Sequence, residues 1–200
     1  MFRMRSGQPL DRVATFFDFT RETMRRRFEQ VMEDLHSSFM PLNLGRGHID
    51  NEGAWEHMTY TSKSLLLDEE QIRNHSKITI WDATYIHIGK SANISVQQKT
   101  YSLQKKTNLI KPMISVFPDG YIYDIIPLNQ ATDNDATIMN RIQQDPSFEE
   151  HFHRGDTFVF DRGFRDVVNA LRAKGYKVYI PAFGDGGSQL TTEQANESRR

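Results

Sequence analysis

The chain has 200 residues, 38% hydrophobic and 26% charged, and no cysteine. That is enough for one substantial core, which usually fills a domain of about 100 to 150 residues, plus a small accessory unit. It excludes a disulfide framework and a thiolate zinc site, so a metal would have to sit on oxygen or imidazole ligands. A net charge of −1 and a pI near 6.7 do not mark the whole chain as a nucleic-acid binder, so local clusters must carry any such role. No apolar run approaches the ~20 residues needed to span a bilayer, and the amino-terminal stretch lacks the apolar centre of a secretory signal. An intracellular protein with no membrane partner is expected.

In chain order, Leu10, Val13, Ala14 and Phe17 recur at helical spacing and predict a short first helix. Thr20 can cap a second, along which Met24, Phe28, Val31, Met32, Leu35 and Phe39 share a face until Pro41 stops it. Arg21, Arg25, Arg26 and Arg27 begin its opposite face. In a helix-turn-helix that position approaches DNA, so Arg25 and Arg26 are candidate DNA contacts; a solvated basic face on a packing helix is the plainer alternative. Residues 1–42 are therefore read as a helix-turn-helix-like segment, and 43–76, opening on the Gly- and Asn-rich stretch 43–53, as a linker and a polar helix.

From residue 77 the pattern changes. Lys77–Ile88 is rich in β-branched and aromatic residues and reads as one strand. Three more strand candidates follow at Lys99–Leu103, Lys111–Phe117 and Tyr121–Ile126, the last two joined by the turn Pro118-Asp-Gly120, and they suggest an antiparallel meander. Asn134–Gln144 reads as a helix, Asp156–Phe160 as a strand, Phe164–Lys174 as a helix ended by Gly175, and Lys177–Ile180 as a strand, which makes a β-α-β unit. A loop at 184–188 precedes a helix that begins at Thr191.

Two aspartates stand out. Asp82 lies within the first strand, where a carboxylate is costly to bury unless something pairs with it, and a divalent cation is one such partner. Asp161 ends the apolar run Thr157–Phe160, at the carboxyl end of a strand where α/β sheets place ligands, and Gly163 permits a tight turn after it. Together they could hold Mg²⁺ or Mn²⁺ for phosphodiester chemistry; an edge-strand Asp or an ion pair are the structural alternatives. Asp135 begins a helix and suits a cap or dipole partner, with metal ligation as the alternative. Asp119 and Asp124 are expected to be solvated, and His151 and His153 to be surface residues. Lys99, Lys105, Lys106 and Lys111 form either a solvated face or an edge that contacts phosphates, with Lys105 and Lys106 the candidate DNA contacts.

In order, Trp81-Asp-Ala-Thr84, Phe117-Pro-Asp-Gly-Tyr121, Asn134-Asp-Ala-Thr-Ile138, Phe160-Asp-Arg-Gly-Phe164, Tyr179-Ile-Pro-Ala182 and Leu190–Ser198 resemble the catalytic domain of the DDE superfamily endonucleases, the group related to Harbinger-type transposases. The resemblance spans about residues 77–200. It implies an α/β, RNase H-like fold with a mixed sheet flanked by helices, Mg²⁺- or Mn²⁺-dependent cutting and joining of DNA, and a nuclear location. It assigns the first two catalytic acids to Asp82 and Asp161 and gives Asp135 a supporting metal-site place. The third acid, a Glu on the last helix, is expected just after Arg200, which marks the chain as truncated; Glu193 and Glu197 are not assigned that role. A homo-oligomer is possible, and a noncatalytic DNA-binding or interaction module that keeps the fold is the alternative function.

Overall fold

The computed structural model describes residues 6–127, 129–182 and 191–192, and its contacts divide the chain into two compact units, Met1–His48 and Ile49–Arg200. In the first, α1 (Leu10–Phe16) buries Val13 and Ala14 and turns into α2 (Arg21–Asp34) through Asp18, whose φ is 54°. Aspartate is among the few residues whose short polar side chain makes the left-handed region affordable. Thr20 caps α2 by accepting from the Thr23 amide at 3.2 Å.

Pro41 does not end the second helix, contrary to expectation. The helix passes through a π turn, Leu35–Phe39, into a further turn, Met40–Asn43, and Pro41 occupies the start of that turn, where an N–H is least needed. The expected apolar stripe is only half covered: Met24, Phe28 and Leu35 are partly buried, whereas Val31, Met32 and Phe39 are exposed.

The second unit begins with three short helices, α3 (Asn51–Glu56), α4 (Tyr60–Leu66) and α5 (Glu69–Arg73), capped by the side chains of Asp50, Thr59 and Asp68. Ala54, Met58 and Leu67 from this stretch belong to the main core, so residues 49–73 pack on the sheet rather than link to it. Then come β1 (Ile78–Ala83), β2 (Ile86–His87), α6 (Ile94–Thr100), β3 (Tyr101–Ser102), β4 (Thr107–Ile110), β5 (Met113–Val116) and β6 (Ile122–Ile126). They are followed by α7 (Asp135–Ile142), α8 (Ser147–His151), β7 (Thr157–Val159), a 3-10 segment (Arg162–Val167) running into α9 (Val168–Ala173), and β8 (Lys177–Tyr179).

Five strands form the central sheet in the order β6-β5-β1-β7-β8. The β6–β5 and β5–β1 pairs are antiparallel, and the β1–β7 and β7–β8 pairs are parallel. This α/β arrangement, a mixed sheet flanked by helices, is compatible with the expected RNase H-like fold. Side chains alternate across the sheet: Thr79, Trp81, Ser115, Phe158 and Val178 are buried, whereas Ile80 on the other face is 37% exposed. Trp81, Phe152, Phe158, Phe148 and Tyr176 stack into an aromatic layer, with Trp81 and Phe152 centroids 6.0 Å apart.

Several expected strands are shorter than their sequence patterns. Lys77–Ile88 breaks at Thr84, whose amide donates to the Pro112 carbonyl at 3.1 Å, and β2 then leaves to join a separate sheet ordered β2-β4-β3. Lys111–Phe117 breaks at Pro112, which has no N–H for a ladder. Lys99 and Thr100 end α6, capped by Asn93, so only Tyr101 and Ser102 of the strand expected at Lys99–Leu103 are paired. The Pro118-Asp-Gly120 turn forms with Gly120 at φ 91°, and Gly175, also at 91°, follows α9. The loop at 184–188 and nearly all of the helix expected from Thr191 lie outside the described residues.

A buried ion pair clamps the amino-terminal ends of β1 and β7. Lys77 Nζ stands 3.6 Å from Asp156 Oδ2, with side chains only 4% and 5% exposed. The carboxylate also accepts backbone N–H groups from Lys77 and His153, at 2.8 and 2.9 Å, while Lys77 Nζ donates to Asn51 Oδ1 and the His151 carbonyl. Burial pushes the Lys77 ammonium below its ordinary pKa and the Asp156 carboxyl above its own, each shift opposed by the partner's charge.

Candidate active site

The opposite ends of the same two strands carry the acids. The parallel ladder pairs Ile78 with Thr157, Thr79 with Phe158 and Ile80 with Val159. Asp82 and Asp161 each stand two residues beyond the last pair, at the carboxyl ends of adjacent strands roughly 4.8 Å apart. Period-two alternation assigns Asp82 to the face of Ile80, and Asp161, still extended at φ −83° and ψ −178°, to that of Val159.

Asp82 is exposed, so its strand position imposes no burial cost, and its Oδ1 accepts from the Ala83 amide at 2.7 Å. Asp161 is exposed as well and caps the 3-10 segment, its Oδ1 accepting from the Gly163 amide at 2.8 Å. The segment Phe164–Lys174, expected as one helix, starts as this capped 3-10 turn.

A further acid, Asp135, approaches Asp161 at Gly163. A Cβ placed on it would lie 2.7 Å from Asp135 Oδ2 and 2.9 Å from Asp161 Oδ1, so those two oxygens are no further apart than the two distances together. Asp135 arrives on the first turn of α7, which packs against the 3-10 segment. It is not the cap: Asn134 is, accepting from the Thr137 amide at 2.7 Å. Asp135 Oδ1 is buried without an aligned hydrogen bond, and its charge is met by Lys111 Nζ at 2.7 Å.

Lys111 is thus no phosphate-contacting edge. Its side chain is 6% exposed, and Nζ also donates to the Asp133 carbonyl at 3.1 Å. The Gly in Asp-Arg-Gly-Phe was legible as a turn residue, but its closeness to Asp135, and the Lys111–Asp135 pair, join positions too distant in sequence for local patterns to reveal.

Lys105 and Lys106 are exposed in the turn between β3 and β4, and Lys105 Nζ lies 5.3 Å from the centre of the Tyr85 ring. Arg25 and Arg26 lie on α2 in the first unit. Arg25 is held between Glu22 at 2.7 Å and Glu29 at 2.8 Å, which raise its pKa above the ordinary guanidinium value, and Arg26 is exposed. Of the two hairpin acids expected to be solvated, Asp119 is exposed and Asp124 is not. Asp119 bonds to His57 Nδ1 at 2.7 Å, with His57 stacked 4.1 Å from the Tyr121 ring, and Asp124 is buried on β6 opposite Ser115. Glu193 and Glu197 lie outside the described residues.

The donors are carboxylate oxygens, the hard ligands that Mg²⁺ and Mn²⁺ prefer, and a side chain at 163 would fill the space between Asp161 and Asp135. That donor set fits a divalent cation. Among the described residues, however, no three His, Cys, Asp or Glu side chains are already gathered into a metal cage. Nor is any helix among them long and apolar enough to cross a membrane.

Compared with known families, residues 81–200 match the model described as DDE superfamily endonuclease, a stretch of well over half the chain. Comparison with curated proteins and with solved structures gives no match.

Proposed function

This chain belongs to the DDE superfamily endonucleases, and we propose that its second unit holds Mg²⁺ or Mn²⁺ on Asp82 and Asp161 and cuts DNA phosphodiester bonds at the carboxyl ends of β1 and β7. The parallel register of those strands supports this reading, because its last pair, Ile80 with Val159, lies two residues before each acid. When bound, the cation supplies the charge that activates an attacking water or 3′-hydroxyl and steadies the leaving oxygen.

The chain's own residues do the rest. Asp82 and Asp161 fix the phosphate-facing charge, Asp135 supports Asp161 across Gly163, and Lys111 holds Asp135 in place. Lys105 and Lys106 neutralise DNA phosphates in the second unit, and Arg25 and Arg26 are separate DNA contacts of the first. A transposon-derived origin of the Harbinger kind is the finer reading we infer from the ordered motifs.

The test is Mn²⁺-dependent nicking of supercoiled plasmid. The wild-type chain should nick, and Asp82→Asn and Asp161→Asn should fall to background while keeping their thermal midpoints. Equal nicking by Asp82→Asn would overturn the assignment.

One observation favours a second reading, a noncatalytic DNA-binding module: each acid is already engaged, Asp82 by the Ala83 amide, Asp161 by the Gly163 amide and Asp135 by Lys111. That module would bind DNA identically with EDTA present and in Asp82→Asn.

A further inference from the structure

We propose that the exposed ring of Tyr85 is a stacking platform for an unpaired DNA base beside the scissile phosphate, with Lys105 neutralising the adjoining phosphate. The proposal rests on the DNA-cutting reading above and adds a positioning residue to it.

Tyr85 follows Asp82 by three residues, where the chain leaves β1 and has not yet entered β2. It is 37% exposed, in an open run with Thr84, Ile86 and His87. Two ammonium groups lie against its ring, Lys105 Nζ at 5.3 Å and Lys111 Nζ at 5.7 Å from the centroid.

Lys111 ties the ring to the acids. The same Nζ lies 2.7 Å from Asp135 Oδ1, and Asp135 meets Asp161 across Gly163. The ring is therefore linked to Asp135, and through it to Asp161, by a single lysine. The two cations have different tasks: Lys111 is buried and committed to Asp135, whereas Lys105 is exposed in the turn closing β3 and β4 and can follow a phosphate.

An aromatic face beside a mobile cation is the combination that binds single-stranded nucleic acid, since every base has a π face while the ammonium tracks the backbone. Bases inside a duplex are stacked on each other, so the occupant is a base at a strand end or one splayed from the duplex. An exposed ammonium over the ring is readily exchanged for a base, because it keeps its hydration after moving aside.

The experiment uses the full chain and a forked DNA carrying 2-aminopurine in its unpaired arm, with a fully paired duplex as control, in Ca²⁺ to prevent cutting. Wild-type protein should quench the probe. Tyr85→Ala and Tyr85→Leu should lose the quenching and bind the fork roughly 5- to 100-fold more weakly, with duplex affinity and thermal midpoint unchanged. Tyr85→Phe and Tyr85→Trp should restore both, which a purely structural role would not require. Lys105→Ala should lower the slope of log affinity against log salt by about 0.7 on single-stranded DNA. If wild type binds the fork and Tyr85→Ala quenches equally well, the platform is refuted and the DNA-cutting reading stands. If wild type binds neither DNA, both fall.

Discussion

Replacing Gly163 by alanine tests the site with one methyl group. The backbone there is not in the left-handed region, so alanine adds no φ strain and any effect is steric. The new Cβ would sit 2.7 Å from Asp135 Oδ2 and 2.9 Å from Asp161 Oδ1, both inside the van der Waals limit. Neither oxygen yields freely, since Asp135 is paired with Lys111 at 2.7 Å and Asp161 accepts from residue 163 itself at 2.8 Å. Overpacking of this kind costs about 1–3 kcal/mol. The stiffer unfolded chain offsets about 0.4–1 kcal/mol of that. The net loss, at most about 2.6 kcal/mol, lowers the melting midpoint of a chain this size by up to roughly 10 °C. The larger effect falls on the metal: spreading two carboxylates should weaken Mn²⁺ binding roughly 10- to 100-fold, the scale seen when supporting groups around a metal are lost. Calorimetric titration with Mn²⁺ and metal-free differential scanning give the two numbers separately. Wild-type Mn²⁺ affinity in Gly163→Ala would refute the convergence of Asp135 and Asp161 on a cation, whatever the melting midpoint did.

At the other end of the strands, Asp156→Asn leaves the Lys77 ammonium buried without a countercharge and should cost about 3–5 kcal/mol in urea unfolding. The same change in a Lys77→Met background should cost at least about 1 kcal/mol less, and additivity in that cycle would mean the pair does not interact. Asp119 supplies a pH test. Its partial burial acts to raise the pKa, but the His57 hydrogen bond and the Tyr121 amide outweigh it and hold the carboxyl below its ordinary value. A depressed folded pKa gives stability that is fully present above the unfolded value of ~3.9 and is lost as pH falls through the folded value. Asp119→Asn should therefore reduce the melting midpoint at pH 6 and leave it unchanged near pH 2; an equal decrease at both would contradict the ionic origin.

Sequence patterning located what local chemistry determines. The alternation around Trp81, the Pro118-Asp-Gly120 turn and the β-α-β stretch ending at Lys177–Tyr179 each follow from neighbouring residues, and all are present. Strand lengths were overread where one residue vetoes a ladder, as Pro112 does, or where a strand changes sheets, as at Thr84. Charge was the poorer guide. Lys77, Lys111, Asp124 and Asp156 are buried, and the partners that make this tolerable for Lys77, Asp156 and Lys111 lie far along the chain. Asp82, by contrast, is exposed within β1. In the candidate site the positions of Asp82 and Asp161 follow from strand pattern, whereas the meeting of Asp135 with Asp161 depends on how α7 packs, which no local spacing encodes.

The pairing of β1 with β7 also sets a timetable. The Lys77 amide and the Asp156 carboxylate that start this ladder are 79 residues apart, so the length-dependent part of closing that loop costs about 4 kcal/mol before any contact compensates. Contacts of such long range form late, after local turns and helices. On the ribosome, Asp82 emerges early but has no companion carboxylate until Asp161 has followed it and the ladder has closed. Asp82 and Asp161 thus come onto neighbouring strands only once β1 and β7 have paired, so nascent and partly unfolded molecules hold the two carboxylates apart.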